Sequence, residues 1–134
     1  MFKYTFILFL VLIGFNSCQS SNSTEATTQA EVKTIGQQDF KSMQAKPDVV
    51  VLDVRTPGEV SEGIINGSTM FIDYNSSDFE QQLDGLDKSK TYLVYCRSGN
   101  RSGKACHTML DKGFKQVYNL DGGISAWSDP LGMK

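Results

Sequence analysis

The stretch Val94-Tyr95-Cys96-Arg97-Ser98-Gly99-Asn100-Arg101-Ser102-Gly103 constrains this chain more than any other, because strand, turn and helix signals meet within it. Residues 91–95 are rich in β-branched and aromatic side chains and read as a buried strand, whereas Ala105, Cys106, Met109 and Leu110 recur at helical spacing. Cys96 therefore stands where a strand hands over to a helix. The first N–H groups of a helix have no partners inside it and carry the positive end of its macrodipole, so they favour an anion. A thiolate is such an anion. Flanked by Arg97 and Arg101, Cys96 is expected to ionise more readily than a free thiol, whose pKa is about 8.5. Most cysteines are small buried hydrophobes. A packing role, however, gives no reason for two arginines, two serines, an asparagine and a glycine to follow, and the run reads as an anion cradle.

A second apolar run, Val49-Val50-Val51-Leu52, has the continuous β-branched character of a strand covered on both faces, as in a parallel sheet. Asp53 and Arg55 fall at its C-terminal end. A charged pair in such a place is often a structural or solvated ion pair. Open parallel sheets also place their ligands beyond the carboxyl ends of the strands, which would bring Asp53 and Arg55 to the same edge as Cys96. Around these two strands the chain alternates. A short strand at 32–35 precedes a helix at 37–45 with Phe40 and Met43 inward, ended by Pro47. An extended piece at 68–72 precedes Ser77-Asp78-Phe79-Glu80, read as a capping box opening a helix with Phe79, Leu83 and Leu86 on one face. After the cysteine loop, a helix ends near Gly113, a strand follows at 116–120, and a closing helix starts at 124–127 and stops before Pro130. The expected fold class is α/β, with a mainly parallel central sheet flanked by helices.

The 134 residues leave room for one such domain, with 40% apolar and 21% charged side chains. A net charge of −2 provides no basic stripe, so nucleic acid is not an expected partner. The first residues do not belong to the domain. Lys3 gives a positive start, residues 6–15 are almost continuously apolar, and polar residues follow, as in a secretory signal. That run is about ten residues long against the roughly 20 needed to span a bilayer as a helix. Its end, Asn16-Ser17-Cys18, resembles a bacterial lipoprotein signal in which the cysteine is lipidated; ordinary signal cleavage is the alternative. The expected layout is a signal peptide at 1–17, a lipidated Cys18 with a flexible Ser/Thr/Gln-rich tether at 18–31, and a folded domain at 32–134. This implies membrane attachment through the lipid at the periplasmic face of the cell envelope, or a soluble periplasmic or secreted form if Cys18 is not modified.

Cys96-Arg97-Ser98-Gly99-Asn100-Arg101-Ser102 resembles the active-site loop of rhodanese-type sulfurtransferases. Leu52-Asp53-Val54-Arg55-Thr56-Pro57-Gly58-Glu59 with Gly63-Ile64-Ile65-Asn66-Gly67-Ser68, and Asn119-Leu120-Asp121-Gly122-Gly123-Ile124-Ser125-Ala126-Trp127, resemble two further motifs of that family in the same order. The resemblance spans about residues 32 to 130. It implies a rhodanese-like domain in which Cys96 carries a persulfide and Arg97, Ser98, Gly99, Asn100, Arg101 and Ser102 hold it. Arg55 would help to bind an anionic sulfur donor such as thiosulfate, and Asp53 would orient neighbouring arginines or loop amides. The acceptor would be cyanide or a thiol, a protein thiol included. No metal or organic cofactor is implied, and a monomer is expected. Ile64 stands where the family usually has histidine, and Asp73 where a proline is common.

Two other readings compete. A carrier or protein-binding module could hold sulfur without turning over substrate. A cysteine phosphatase or arsenate reductase also uses a cysteine-headed loop, but those families place one residue more between cysteine and arginine than the four separating Cys96 from Arg101. Three other side chains are read as structural. Cys106 lies about five residues into the helix, roughly 8 Å below the loop at 1.5 Å per residue, which disfavours a disulfide with Cys96. His107 has no metal-spaced partner, and Trp127 is read as a packing anchor.

Overall fold

The run Val49–Asp53 forms strand β2, and the aromatic stretch Thr91–Tyr95 forms β4 beside it, paired in parallel from Val49 with Thr91 to Asp53 with Tyr95. In this computed structural model, which describes residues 31–134, three more strands join them: β1 (Lys33–Ile35), β3 (Met70–Phe71) and β5 (Gln116–Leu120). The order across the sheet is β1-β5-β4-β2-β3, every pairing is parallel, and the class is α/β with helices flanking the sheet. The expected signal peptide, Cys18 and the tether through residue 30 lie outside the described residues. Among the described residues no helix is long and apolar enough to cross a membrane.

The alternation of side chains along β4 builds two cores. Tyr92 and Val94 face one way, against Leu52, Phe79, Leu83, Ala105, Cys106 and Met109. Leu93 and Tyr95 face the other way, against Phe40, Val51, Ile65 and Leu120. Helices α3 (Phe79–Asp84) and α4 (Asn100–Asp111) supply the first layer, and α1 (Gln37–Gln44) the second. Each fully buried side chain of this size contributes about 1.5–3 kcal/mol, so β4, buried from Tyr92 to Tyr95, is the best-anchored strand. The two tyrosines bury their rings but satisfy their hydroxyls. Tyr92 donates to Asp87 O at 2.9 Å, and the Tyr95 hydroxyl lies 2.8 Å from Ser68 Oγ and accepts from Ile65 N–H.

Three local readings need correction. The capping box lies elsewhere: Asp78, not Ser77, precedes α3 and makes no cap bond, its carboxylate being taken by Ser76 Oγ and Gln82 Nε2. The reciprocal box is instead at Thr56 and Glu59, opening a helix, α2 (Pro57–Ser61), that the pattern did not reveal. Pro57 at its first position is preset for the helical φ. The closing helix is only a 3₁₀ turn, Gly123–Ala126, after which Trp127 packs edge-on against Phe40 with centroids 5.7 Å apart.

Ile64 has a structural use at the place where a histidine is usual. It is 6% exposed, and its backbone forms an antiparallel bridge with Gly132, with N···O distances of 2.9 and 2.8 Å. The 63–66 segment is thereby strapped to the chain's last described residues.

Candidate active site

Because β4 is central and buried, its C-terminal end is a fixed platform, and Cys96 is the first residue beyond it. The chain must then turn sharply into α4. Gly99, the N-cap, does so at φ +94°, and a Cβ there would come within 3.2 Å of Leu120 O. Both the left-handed backbone and the close approach call for glycine.

The loop is held from below by the segment after β5. Ile124 N–H donates to Cys96 O at 2.9 Å and Ser125 N–H to Arg97 O at 3.0 Å. Gly123 makes that approach possible: at φ +58°, a Cβ would lie 2.5 Å from Cys96 O and 2.6 Å from Arg97 O. The glycine pair and the cysteine loop, far apart in sequence, form one unit.

Within it, Cys96 is 1% exposed, and its Sγ accepts a bond from Gly99 N–H at 3.1 Å. The buried Ser102 Oγ lies 3.3 Å from the same sulfur. Burial opposes ionisation of the thiol. The Ser102 hydroxyl and the backbone amides of Ser102, Ser98 and Gly99 outweigh it, and the Cys96 pKa falls below its ordinary value. The direction agrees with the expectation from the sequence, but its leading favourable cause is hydrogen bonding rather than the flanking arginines. Arg101 is engaged elsewhere: its two terminal nitrogens grip the Glu59 carboxylate at 2.8 and 2.7 Å. That pair holds Glu59 down to about 2, with burial opposing and Thr56 assisting. Arg97, Ser98 and Asn100 point outward on the exposed rim.

Asp53 and Arg55 meet at the same edge of the sheet, but Arg55 is turned inward. Its guanidinium binds Asp53 at 2.6–3.1 Å and donates to Gly63 O at 2.7 Å and Glu59 O at 3.1 Å. The pair is buried, with the guanidinium 5.6 Å from the Tyr95 ring centroid. Where the sequence reading gives Arg55 to an anionic donor, the structure gives nearly all its hydrogen-bonding capacity to the protein itself. Arg55 still borders a cleft of about 190 Å³ with Glu59, Gly63, Arg97, Ile124 and Leu131.

Cys106 is buried within α4, where desolvation pushes its thiol up to about 12, and it is free, as is Cys96. His107 is exposed. Among the described residues no cluster of His, Cys, Asp or Glu is arranged to hold a metal ion. Three residues that shape the site carried no assigned role in the sequence reading: Glu59, Gly123 and Asn119. Glu59 left a local signal, the Thr56-Pro57-Gly58-Glu59 spacing of a capping box, whereas Gly123 and Asn119 stood only within the 119–127 motif.

Fold and loop together define a domain that presents one activated thiol at the carboxyl edge of a parallel sheet. The chain belongs to the rhodanese-like domain family, whose model matches residues 36–130. It is similar to the thiosulfate sulfurtransferase GlpE of Pseudomonas entomophila, 35% identical over 98 residues that cover 73% of this chain and 86% of that one. It is also similar to the tRNA uridine(34) hydroxylase of Cytophaga hutchinsonii, 40% identical over 88 residues covering 64% of this chain. This match spans only 28% of the hydroxylase. The crystal structure of a rhodanese-like domain protein from Staphylococcus aureus superposes with a TM-score of 0.66 at 29% identity, covering 77% of this chain and 99% of that one.

Proposed function

We propose that the protein is a sulfurtransferase that moves sulfane sulfur from thiosulfate or a similar anionic donor to a thiol or cyanide through a persulfide on Cys96. The observation that carries this reading is the Cys96 sulfur itself, seated at the end of β4 with Gly99 N–H and Ser102 Oγ turned onto it. In the first step the thiolate attacks the outer sulfur of thiosulfate. A sulfur–sulfur bond forms to Cys96, the bond to the sulfonate sulfur breaks, and sulfite leaves with the electron pair. The persulfide keeps one negative charge on its outer sulfur, and preorganised N–H donors stabilise such charge most effectively where water is excluded. In the second step the acceptor attacks that outer sulfur and the Cys96 thiolate returns, a double-displacement course. The exposed Arg97 at the rim draws in the dianionic donor.

The test is intact mass before and after thiosulfate. A gain of one sulfur atom, reversed by a thiol and absent in Cys96→Ser, is the expected result; a free, folded thiol that gains nothing overturns the reading. A second reading, a domain that stores or passes sulfur within a larger assembly, is favoured by one observation: a similar stretch makes up just over a quarter of the tRNA uridine(34) hydroxylase. Stoichiometric loading without turnover to any small acceptor would support it.

We further propose that the domain works at the periplasmic face of the cell envelope as a lipoprotein anchored at Cys18. The support is the sequence order of Lys3, the apolar 6–15 run and Ser17-Cys18. Cys18→Ala is expected to release the protein from the membrane fraction.

A further inference from the structure

One side chain without an assigned role ties the cysteine loop together. Asn119 lies on β5 opposite Val94 and is 7% exposed. Its Nδ2 donates to Gly99 O at 3.2 Å, which fixes the orientation of the amide, and its Oδ1 then lies 2.6 Å from Ser102 Oγ. Gly99 N–H and Ser102 Oγ are the donors seated closest to the Cys96 sulfur, at 3.1 and 3.3 Å, with the Ser98 amide assisting them.

A serine hydroxyl has one proton to donate. It cannot serve Asn119 Oδ1 and the sulfur fully at once, and the shorter distance is to Asn119. While Cys96 carries its own proton, the thiol can donate to Ser102 Oγ and the hydroxyl to Asn119. Once Cys96 is a thiolate, the sulfur can only accept, and the same hydroxyl is drawn towards it. We propose that Asn119 is a positioning residue for Cys96. It holds Gly99 so that its N–H faces the sulfur, and it competes with the sulfur for the Ser102 proton, so that it sets the readiness of the thiol to ionise. It acts through Gly99 and Ser102 rather than on the reacting atoms. The sulfur-transfer reading gives this tuning its purpose, but the tuning is measurable without any sulfur donor.

The charged and titratable groups around the sulfur are Arg101, backed by Glu59 and Asp73, together with Cys106 in α4 and the neighbouring Arg97. The variants below leave all of these in place. Asn119→Asp makes the acceptor facing Ser102 a stronger, charged one, removes the donor to Gly99 O and adds negative charge near the sulfur, and each change disfavours the thiolate. Followed by ultraviolet absorbance against pH in the full chain, it is expected to raise the Cys96 midpoint by about one unit, a roughly tenfold loss of thiolate below that midpoint. Ser102→Ala is expected to raise it too, and in that background the effect of Asn119→Asp should shrink, since the share of it that runs through the Ser102 proton is gone. In the unaltered protein, the Asn119 side-chain amide resonances should shift with the Cys96 midpoint and stop doing so in Cys96→Ser.

An unchanged thiol titration in folded Asn119→Asp overturns the proposal, and so do strictly additive effects of the two substitutions. If Asn119→Asp does not fold, the resonances of the unaltered protein decide: amide signals that ignore the Cys96 midpoint overturn it. A protein that shows the expected titrations but takes no sulfur from thiosulfate supports the role of Asn119 and counts against the sulfurtransferase reading alone.

Discussion

Glu59 holds Arg101 by two bonds, 2.7 and 2.8 Å long, across 42 residues of sequence. The same carboxylate accepts from Thr56 N–H and Thr56 Oγ1 at 3.1 Å, so one side chain caps α2 and braces the first turn of α4. The cysteine loop is thus clamped from the β2 side by Glu59 and from the β5 side by Asn119 and Gly123.

The clamp has a pH dependence of definite sign. Glu59 binds its proton more weakly in the folded chain, at about 2, than at its ordinary value of 4.5. Its contribution to stability is therefore complete above about pH 4.5 and is lost as pH falls towards 2. Both partners are mostly covered, with side chains 24% and 17% exposed, and Glu59→Gln is expected to cost about 1–3 kcal/mol at neutral pH. Chemical denaturation should show the gap between variant and parent closing as pH falls through that window. A gap that stays constant with pH would show that the charge is not its source.

Arg55 separates a structural role from a substrate role. Removing it leaves the Asp53 carboxylate, 0% exposed, without its cation. Breaking a buried pair in this way costs about 3–5 kcal/mol. Arg55→Ala is accordingly expected to lower the denaturation midpoint sharply. If the variant keeps its stability and instead loses affinity for thiosulfate, the donor-binding role implied by family resemblance is the correct one.

The two described cysteines should differ in chemistry as they do in setting. Cys96 has donors on its sulfur and a lowered pKa, whereas desolvation pushes the Cys106 thiol up to about 12, which keeps it protonated at neutral pH. A small alkylating agent is expected to label Cys96 in the native protein and leave Cys106 untouched until the chain is unfolded, as read by peptide mass mapping. Native labelling of Cys106 at a comparable rate would show that α4 opens readily.

How much of this was legible in the sequence depended on the range of the interactions. Strands 91–95 and 116–120 came out at the bounds read from the sequence, the first because a β-branched and aromatic run buried on both faces leaves little freedom in residue type. The loop at Cys96 was legible because strand, glycine turn and helix are contiguous. The five-residue α2 was not, since it is too short for periodicity and its capping box lay in a stretch to which no helix was assigned. The direction in which Arg55 and Arg101 point was also hidden. Each arginine could have served an anion, and what claims it instead is a carboxylate placed by the fold. The Ile64 bridge to Gly132 joins segments that no local pattern relates.

Gly123 offers the strictest check that the glycine pair supports the cysteine loop, because a control for backbone strain exists in the same chain. Gly113 and Gly123 both have positive φ, +92° and +58°. A Cβ on Gly113 would meet nothing within 4 Å, so Gly113→Ala costs only the left-handed strain, about 1–2 kcal/mol. A Cβ on Gly123 would press on Cys96 O, Arg97 O and Arg97 C at 2.5–2.7 Å, and these backbone atoms cannot swing aside as a side chain can. Gly123→Ala must therefore push the 96–97 carbonyls away and weaken the bonds from Ile124 and Ser125 that hold them. The expected cost is about 1–3 kcal/mol beyond the control, accompanied by a rise in the Cys96 pKa as the loop amides lose their aim. Denaturation and thiol titration of the two variants side by side provide the measurement. Equal destabilisation with an unmoved thiol would mean that the loop keeps its shape without the glycine.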